Sequence, residues 1–566
     1  MFPLNSTGSK LDRFDLASMA IVLALAVVSA APAWSQDEEA GAEPPEGGIP
    51  VTDRATIRAC RSCHTVDDEG RMTRISWMRK TPEGWQTSIK RMVSLQDIPL
   101  EPDEARQIVR YLSDHHGLAP EEVRDGFFDA ERRFIEHSYE GDETTDSTCT
   151  ACHSFGRVLN QRRSGQEWEH LVAMHRGYYP IVDIQGYRSF VPPEDGEHPM
   201  DKAIAHLSET FPLDTTEWSA WQATMRPPRL SGEWALSGHA PGKGAVFGRV
   251  TISDSAAAGE FETRTRFTYA RSGKSVERTG KAIVYTGFQW RGLSTGSGDD
   301  EYREVFIVER GWNEMSGRWF TGGYDETGAD ITLRRIGVDP VLTGTTSGAV
   351  RAGGESTVRA HGANLPTDLD TADVDLGPGV EVVSVGAATD NSIELRVRVL
   401  DDAKVGKRDL VVGGSVLPGS VVVYDEISRI RVQPRAGMAR AGGAVFPKQL
   451  QQFEAVAMHD GPDGEAGTDD DLELGMIDAS WKIEEYGVTY ADDDTEFVGA
   501  IDQAGLFTPN LDGPNPERSG DRNNVGDVWV VASYTPGGGD HELTARAHLL
   551  VTVPLYMRWE PWKVAE

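Results

Sequence analysis

The sequence predicts a multidomain chain in which an N-terminal all-α domain is followed by three all-β domains, each a barrel or an immunoglobulin-like sandwich. Its 566 residues exceed what one hydrophobic core usually organises. Apolar side chains recur at helical spacing only as far as Arg226-Pro-Pro-Arg229. Short alternating runs bounded by Gly, Asp, Asn and Ser follow, and these are typical of antiparallel strands. The predicted domains are 51–226 (helical), 227–337 (antiparallel barrel or sandwich), 338–427 (immunoglobulin-like) and 428–566 (C-terminal β-sandwich).

The first residues have the pattern of an export signal. Lys10 and Arg13 precede an apolar run at 19–30, and small residues up to Ser35 follow it. A membrane anchor is the alternative, but the run is shorter than the roughly 20 residues that a span needs. We therefore predict a cleaved signal peptide at 1–35, an acidic, proline-rich linker at 36–50 and a mature protein in the periplasm.

The charge of the chain excludes two classes of partner. Asp and Glu number 89 against 56 Lys and Arg, which gives a formal net charge of −33. Nucleic acids and anionic membrane surfaces repel so acidic a protein. We expect neither nucleic acid nor membrane as a partner.

The four cysteines form two C-x-x-C-H motifs and nothing else. The motifs consist of Cys60, Cys63 and His64, and of Cys149, Cys152 and His153. In such a motif at the start of a helix, both thiols can form thioethers with one porphyrin while the histidine ligates the iron. A redox dithiol would need a βαβ context, and a single zinc site would leave both histidines unexplained. The motifs therefore predict a dihaem cytochrome c domain with two covalently bound c-type haems.

An amphipathic helix follows each motif. The first opens with Thr81 and Pro82, and the second opens with a capping box formed by Ser164 and Glu167. Their apolar stripes are Trp85, Ile89, Met92 and Val93 in the first, and Trp168, Leu171, Val172 and His175 in the second. The two segments have the appearance of a repeat, in which each tryptophan packs against its haem.

This repeat indicates the sixth iron ligands. Counting seven residues from each tryptophan leads to Met92 in the first segment and to His175 in the second. Both positions face inward, so we predict them as iron ligands beside His64 and His153. The alternatives that the sequence leaves open are Met72, Met78, His115 and His116 for the first haem, and His170, Met174 and Met200 for the second.

The β domains contain one candidate metal site and no catalytic motif. Carboxylates and glycines alternate between Asp460 and Asp471, a composition that can wrap oxygens around calcium. The spacing matches no EF-hand, and an acidic hairpin tip is the alternative. No H-E-x-x-H and no cysteine outside the two motifs occurs. We predict no catalytic residue in this chain.

A two-haem N-terminal domain followed by three β domains resembles the alpha subunit of quinohemoprotein amine dehydrogenase. The paired C-x-x-C-H motifs, the Trp85 to Met92 and Trp168 to His175 segments and the β tail carry the resemblance. It implies a periplasmic heterotrimer with a propeller-like subunit and a small subunit that bears a cysteine tryptophylquinone. Primary amines would be oxidised at that quinone, and electrons would pass through the two haems to a soluble acceptor such as a cytochrome c or a cupredoxin.

The resemblance and the cysteine count agree on one point. A tryptophylquinone needs a cysteine sulfur, and both motifs together use all four cysteines. The amine-oxidising site is therefore expected on another subunit. The alternatives are a stand-alone dihaem redox carrier, a subunit of a different periplasmic dehydrogenase and, more remotely, a dihaem peroxidase.

Overall fold

The computed structural model describes residues 47–124, 126, 139, 141–150, 155–178, 196, 198–297, 300–487, 492–539 and 541–554. The predicted signal peptide, most of the predicted linker, Cys152 and His153 lie outside these residues. Within these ranges, no helix combines the length and the apolar character needed to cross a bilayer.

Helices are concentrated in the N-terminal part of the chain. Those of the described residues are α1 (Arg54–Cys60), α2 (Pro82–Gln96), α3 (Pro102–His115), α4 (Pro120–Val123), α5 (Glu143–Cys149), α6 (Gly156–Leu159), α7 (Gly165–Tyr178), α8 (Pro199–Thr210), α9 (Thr216–Thr224) and α10 (Asp494–Phe497). Side-chain oxygens cap several of them; the Thr81 hydroxyl, for example, accepts from the Gly84 amide at 3.3 Å at the start of α2.

The prediction of an all-α N-terminal domain is wrong. Two strands, β1 (Met78–Lys80) and β2 (Gln161–Arg163), pair antiparallel in the middle of this domain. Of the residues that the structure describes, about 22% are helical and 42% are in strands. Three residues are too few to show a period, and the pairing joins segments far apart in sequence, so no local pattern revealed this ribbon.

The ribbon relates the two halves of the domain by an approximate two-fold axis. Arg79 pairs with Arg162 at its centre, and Met78 with Arg163 and Lys80 with Gln161 on either side. The amide of Thr81 donates to the Asn160 carbonyl at 3.3 Å, and in the other half the amide of Ser164 donates to the Trp77 carbonyl at 3.1 Å. The same contacts therefore occur twice, once for each repeat.

Next along the chain, eight antiparallel strands close into a barrel. They are β3 (Gly232–Ala240), β4 (Gly244–Asp254), β5 (Glu260–Tyr269), β6 (Ser275–Tyr285), β7 (Gln289–Thr295), β8 (Glu301–Val308), β9 (Glu314–Thr321) and β10 (Thr327–Arg335). β10 returns to pair with β3, which closes the ring. Buried aromatic side chains such as Trp234, Trp290 and Phe267 fill its core, as is usual for a barrel of this size.

The barrel supports the N-terminal domain. Trp218 and Trp221 of α9 belong to the same hydrophobic core as the barrel's side chains. The Trp221 indole donates to the Thr286 carbonyl at 2.9 Å, and the Thr286 amide donates to the Asp114 carboxylate at 2.6 Å. The N-terminal domain is therefore packed directly against the barrel.

The third part of the chain is a sandwich of two four-stranded sheets, ordered β11-β13-β16-β15 and β12-β18-β17-β14. Its strands are β11 (Val341–Thr346), β12 (Ala349–Arg351), β13 (Glu355–Ala363), β14 (Val374–Asp375), β15 (Val380–Ala388), β16 (Ser392–Val399), β17 (Gly406–Val412) and β18 (Ser415–Tyr424). Valine and leucine dominate the core between the sheets.

The last part contains three small sheets around an apolar core of their own. Its strands are β19 (Arg429–Gln433), β20 (Ala436–Arg440), β21 (Gln451–Gln452), β22 (Glu454–His459), β23 (Leu472–Ile477), β24 (Ser480–Glu485), β25 (Gly499–Ile501), β26 (Leu506–Pro509), β27 (Gly526–Tyr534) and β28 (Leu543–Thr552). The Glu454 carboxylate bonds His239 of the barrel at 2.8 Å, which ties this part to the barrel.

Candidate functional site

The first cysteine motif lies at the end of α1. The Asp53 carboxylate caps this helix by accepting from the Thr56 amide at 2.8 Å. Cys60 is the last helical residue, and the amides of Cys63 and His64 both donate to its carbonyl, at 3.2 and 2.9 Å. We expected the motif at the start of a helix. The structure places it in the turn that follows one, which brings both thiols and the histidine into one compact loop.

The second motif begins in the same way. Asp142 caps α5 by accepting from the Thr145 amide at 2.7 Å, and Cys149 is the last residue of that helix. Cys152 and His153 lie outside the described residues. The shared spacing, Asp-x-x-Thr-x-x-x-Cys-x-x-Cys-His, occurs in both halves. Sequence reasoning missed this signal, which extends each motif upstream into its helix.

The thiols do not have the properties of a reactive dithiol. Burial, with smaller contributions from Cys63 and Glu104, raises the pKa of Cys60 to about 11. Burial beside Asp146 raises the pKa of Cys149 to about 12. Redox-active cysteines have lowered pKa values, so the environment of Cys60 and Cys149 disfavours a redox dithiol and is compatible with thioether attachment.

Two of the predicted ligand histidines are oriented for metal binding. The His64 Nδ1 donates to the Thr73 carbonyl at 2.9 Å. The His175 Nδ1 donates to the Leu171 carbonyl at 2.7 Å, and burial lowers the pKa of His175. Because a carbonyl can only accept, Nδ1 is the donor in both contacts, and Nε2 is the nitrogen that could ligate a metal. Such a backbone partner is usual for ligating histidines, so this donor set fits a haem iron.

The two tryptophans are equivalent in the structure. The Trp85 indole donates to the His116 carbonyl at 2.9 Å, and the Trp168 indole donates to the Phe211 carbonyl at 3.2 Å. His116 and Phe211 are the C-cap residues of α3 and α8. Each tryptophan therefore anchors its helix against the closing helix of its own half.

Met92 and His175 consequently occupy equivalent positions on α2 and α7, and both are partly buried. The predicted stripe of α2 is correct at Trp85 but wrong at Val93, which is 37% exposed. The predicted capping box is also only half formed. The Ser164 hydroxyl accepts from the Glu167 amide at 3.3 Å, but the Glu167 carboxylate turns to Arg74 at 2.7 Å.

The same symmetry bears on His116 as an alternative ligand. His116 is fully buried, and neither ring nitrogen has a hydrogen-bond partner among the described residues. Its place in the second half is taken by Phe211, an aromatic core residue. We infer that His116 fills the core. Met72 and Met78 also lie in the apolar cluster around Trp85, and Met92 stays a prediction.

The acidic loop after β22 contains an internal cation at its base. The Arg429 guanidinium bonds the Asp460 carboxylate at 2.6 Å and also pairs with Asp471. A cation of the chain thus already pairs with two of the loop's carboxylates, which favours the acidic hairpin tip, and calcium stays an untested prediction. Elsewhere in the described residues, carboxylates converge at Glu485, Asp492 and Asp494. Arg518 bonds Asp494 there at 2.6 Å.

Comparison with protein-family models accounts for nearly the whole described chain. Residues 52–218 match the quinohemoprotein amine dehydrogenase A, alpha subunit, haem-binding model. Residues 227–336, 339–425 and 430–564 match domains II, III and IV of the same alpha subunit. The chain belongs to the alpha subunits of quinohemoprotein amine dehydrogenase. This alpha subunit therefore contains a haem-binding domain, as its motifs predicted.

Other comparisons add little to this assignment. No curated protein matches the chain. Among solved structures, a redesigned beta barrel is 15% identical, covers 19% of this chain and 92% of its own length, and has a TM-score of 0.17. The tandem Ig repeats of Dlar are 11% identical and cover 38% of this chain and 100% of their own, at a TM-score of 0.12. Such TM-scores carry no argument about fold or function.

Proposed function

We propose that this alpha subunit is the electron-transfer subunit of a periplasmic amine dehydrogenase and that it carries two covalent c-type haems. Family membership supports the assignment to an amine-oxidising complex. The observation that carries the proposal is the repeat within the haem-binding domain. Each half has a capped helix ending at the first motif cysteine, and a helix with a ligand-type side chain seven residues beyond its anchored tryptophan.

The residues that would hold each haem follow from this arrangement. Cys60 and Cys63 would form the thioethers of the first haem, with His64 and Met92 as axial ligands. Cys149, Cys152, His153 and His175 would have these roles for the second haem. When bound, each haem would accept and release one electron at its iron. The Thr73 and Leu171 carbonyls hold the Nδ1 protons of His64 and His175 and so fix the ring orientations.

The cysteine count assigns the remaining chemistry to partners. All four cysteines are committed to haem attachment, so a cysteine tryptophylquinone must be on another chain. We propose a heterotrimer with a propeller-like subunit and a small quinone-bearing subunit, which oxidises primary amines. A soluble periplasmic cytochrome c or cupredoxin would then receive the electrons.

Anaerobic mixing tests this division of labour. The purified alpha subunit is expected to show no haem reduction when a primary amine is added alone. Addition of the quinone-bearing partner with the same amine should reduce the haems rapidly, as followed by the reduced haem absorption bands. Partner without amine is the control. Amine-dependent haem reduction by the isolated alpha subunit would contradict the proposal.

A further inference from the structure

Four cations lie together where the two halves of the haem-binding domain meet. This basic cluster consists of Arg74, Lys80, Arg91 and Arg163, and the three arginines all lie close enough to lower the pKa of Lys80. Lys80 and Arg163 are equivalent in the two halves. Lys80 lies over the ring of Trp85 at 5.1 Å, and Arg163 over that of Trp168 at 5.7 Å. In a chain with a net charge of −33, this concentration of positive charge is unusual.

The described residues supply the basic cluster with a single paired carboxylate. The Glu167 side chain bonds Arg74 at 2.7 Å and Arg163 at 3.5 Å. Its equivalent in the first half is Gly84, which has no side chain to offer. The second half thus provides a counter-charge that the first half lacks.

Among the described residues, neither Lys80 nor Arg91 forms an ion pair with a carboxylate, although Glu167 is close enough to Lys80 to oppose part of the lowering of its pKa. The Lys80 ammonium donates to the neutral hydroxyl of Ser88 at 2.8 Å, and Arg91 contacts the sulfur of Met174 at 3.6 Å. Lys80 is only 8% exposed. Burial, reinforced by Arg163 and Arg91, holds the pKa of Lys80 well below its ordinary value. Buried cations are costly unless an anion compensates them.

The basic cluster adjoins both predicted sixth ligands. Arg91 directly precedes Met92 on α2, while Arg91 and Arg163 both lie close enough to His175 to lower its pKa. Arg91 and Met174 are themselves equivalent positions of the repeat, and they touch across the approximate two-fold axis. An anion bound by the basic cluster would therefore lie near both predicted sixth ligands.

We propose that the basic cluster binds the propionate carboxylates of both haems. A haem carries two propionates, and guanidinium groups bind carboxylates through paired, charge-assisted hydrogen bonds. The inference rests on the proposed function, because it requires two haems. It adds that the haems share one site of charge compensation, so a change at the basic cluster affects both iron potentials.

Resonance Raman spectroscopy of the haem-loaded chain, combined with potentiometric titration, tests this inference. In Arg91→Gln, the propionate bending bands should shift and the midpoint potentials of both haems should fall, since a lost positive charge favours ferric iron. Arg91→Lys should recover part of each change. Lys80→Gln should act in the same direction. Arg91 is partly exposed, so its variants test the inference even if Lys80→Gln does not fold.

Arg58→Gln is the matched control, because it removes an arginine beside the first motif that is 70% exposed and paired with Glu104. Its propionate bands should not move. A pyridine haemochrome assay counts the haems in the unmodified chain and in every variant, and only variants that retain two haems are compared. Fewer than two haems in the unmodified chain would count against the proposed function instead. Unchanged bands in both Arg91→Gln and Lys80→Gln, or a potential shift at one haem alone, would overturn the shared site. A response of the midpoint potentials of the unmodified chain to inorganic phosphate would also overturn the inference. A free anion, and not the propionates, would then occupy the basic cluster.

Discussion

Met92 and Met174 are methionines on neighbouring helices, and only Met92 is predicted to ligate the first haem. Met92 is on the α2 face that carries Trp85, whereas Met174 contacts Arg91 at the crossing of α2 and α7. Thioether sulfur is a weak donor to ferric iron and raises the potential of a haem. Both methionines are partly buried, so burial alone does not distinguish them.

We predict that Met92→Ala abolishes the near-infrared methionine–iron band of the oxidised protein and lowers the potential of one haem. Met174→Ala removes the same side chain one position before His175 and should retain the band. Near-infrared absorption or magnetic circular dichroism measures both variants. Persistence of the band in Met92→Ala would show that another methionine ligates a haem, namely Met72 or Met78 at the first haem or Met174 or Met200 at the second.

His116 makes the fold sensitive to acid. Burial, with smaller contributions from His115 and Arg79, lowers the pKa of His116 to about 3 from 6.5. His116 is therefore protonated below about pH 6.5 in the unfolded chain but only below about pH 3 in the folded chain. The stability that the neutral ring provides is present above pH 6.5 and is lost as the pH falls through that window, by about 2 kcal/mol at pH 5.

We predict that His116→Phe, which copies Phe211 of the other half, reduces this acid sensitivity. Denaturant unfolding between pH 7 and pH 5 measures it for both proteins. The variant should lose about 2 kcal/mol less free energy of unfolding than the parent over that range, and its haem spectrum should not change. Equal losses would show that His116 is not buried as a neutral ring, and an altered haem spectrum would return it to the ligand candidates.

Only some of these residues could be predicted from the sequence. The C-x-x-C-H motifs and the Trp85 and Trp168 spacing were visible because they are local and chemically distinctive. His116 could not be ranked from sequence, since its burial depends on α3 meeting the barrel. The helix caps at Asp53 and Asp142 could have been predicted from the sequence, because both precede a threonine and the first motif cysteine at the same spacing.

Among the elements, the two-stranded ribbon is the one that the sequence did not predict. Its central residues, Arg79 and Arg162, are held by one carboxylate. Glu122 bonds Arg79 at 2.8 Å and Arg162 at 3.3 Å, and the hydroxyl of Thr215 donates to it at 2.9 Å. Burial alone would raise the pKa of Glu122, but the two guanidinium groups lower it. The ribbon is charged and buried, so no hydrophobic pattern marks it as a strand.

We predict that Glu122→Gln destabilises the haem-binding domain by about 3–5 kcal/mol, because it leaves two buried guanidinium groups without their counter-charge. Glu121→Gln is the matched control. The Glu121 carboxylate is half exposed and pairs with Arg310 at 2.9 Å. Its substitution should therefore lower the free energy of unfolding by less than about 1 kcal/mol. Thermal and denaturant unfolding compare the two. Similar small losses would mean that the ribbon does not depend on this triad.

For the chain as a whole, the barrel and the haem-binding domain share one hydrophobic core. Trp221 and the Asp114 contact to Thr286 join them. Alternating patterns in the sequence indicated strands at 227–337 but left barrel and sandwich open, because closure depends on β3 pairing with β10. Such pairing between distant strands has no local signal. The family assignment, in contrast, rested on motif order along the whole chain, which the family models confirm.

The number of covalently attached haems is the quantity on which the proposed relay depends. A pyridine haemochrome assay after acid-acetone extraction, with intact-protein mass spectrometry of the exported chain, measures it directly. We predict two haems per chain that resist extraction and are lost one at a time when each motif's cysteines are replaced by alanine. A single covalent haem, or haem that is extracted completely, would contradict a dihaem relay in this alpha subunit.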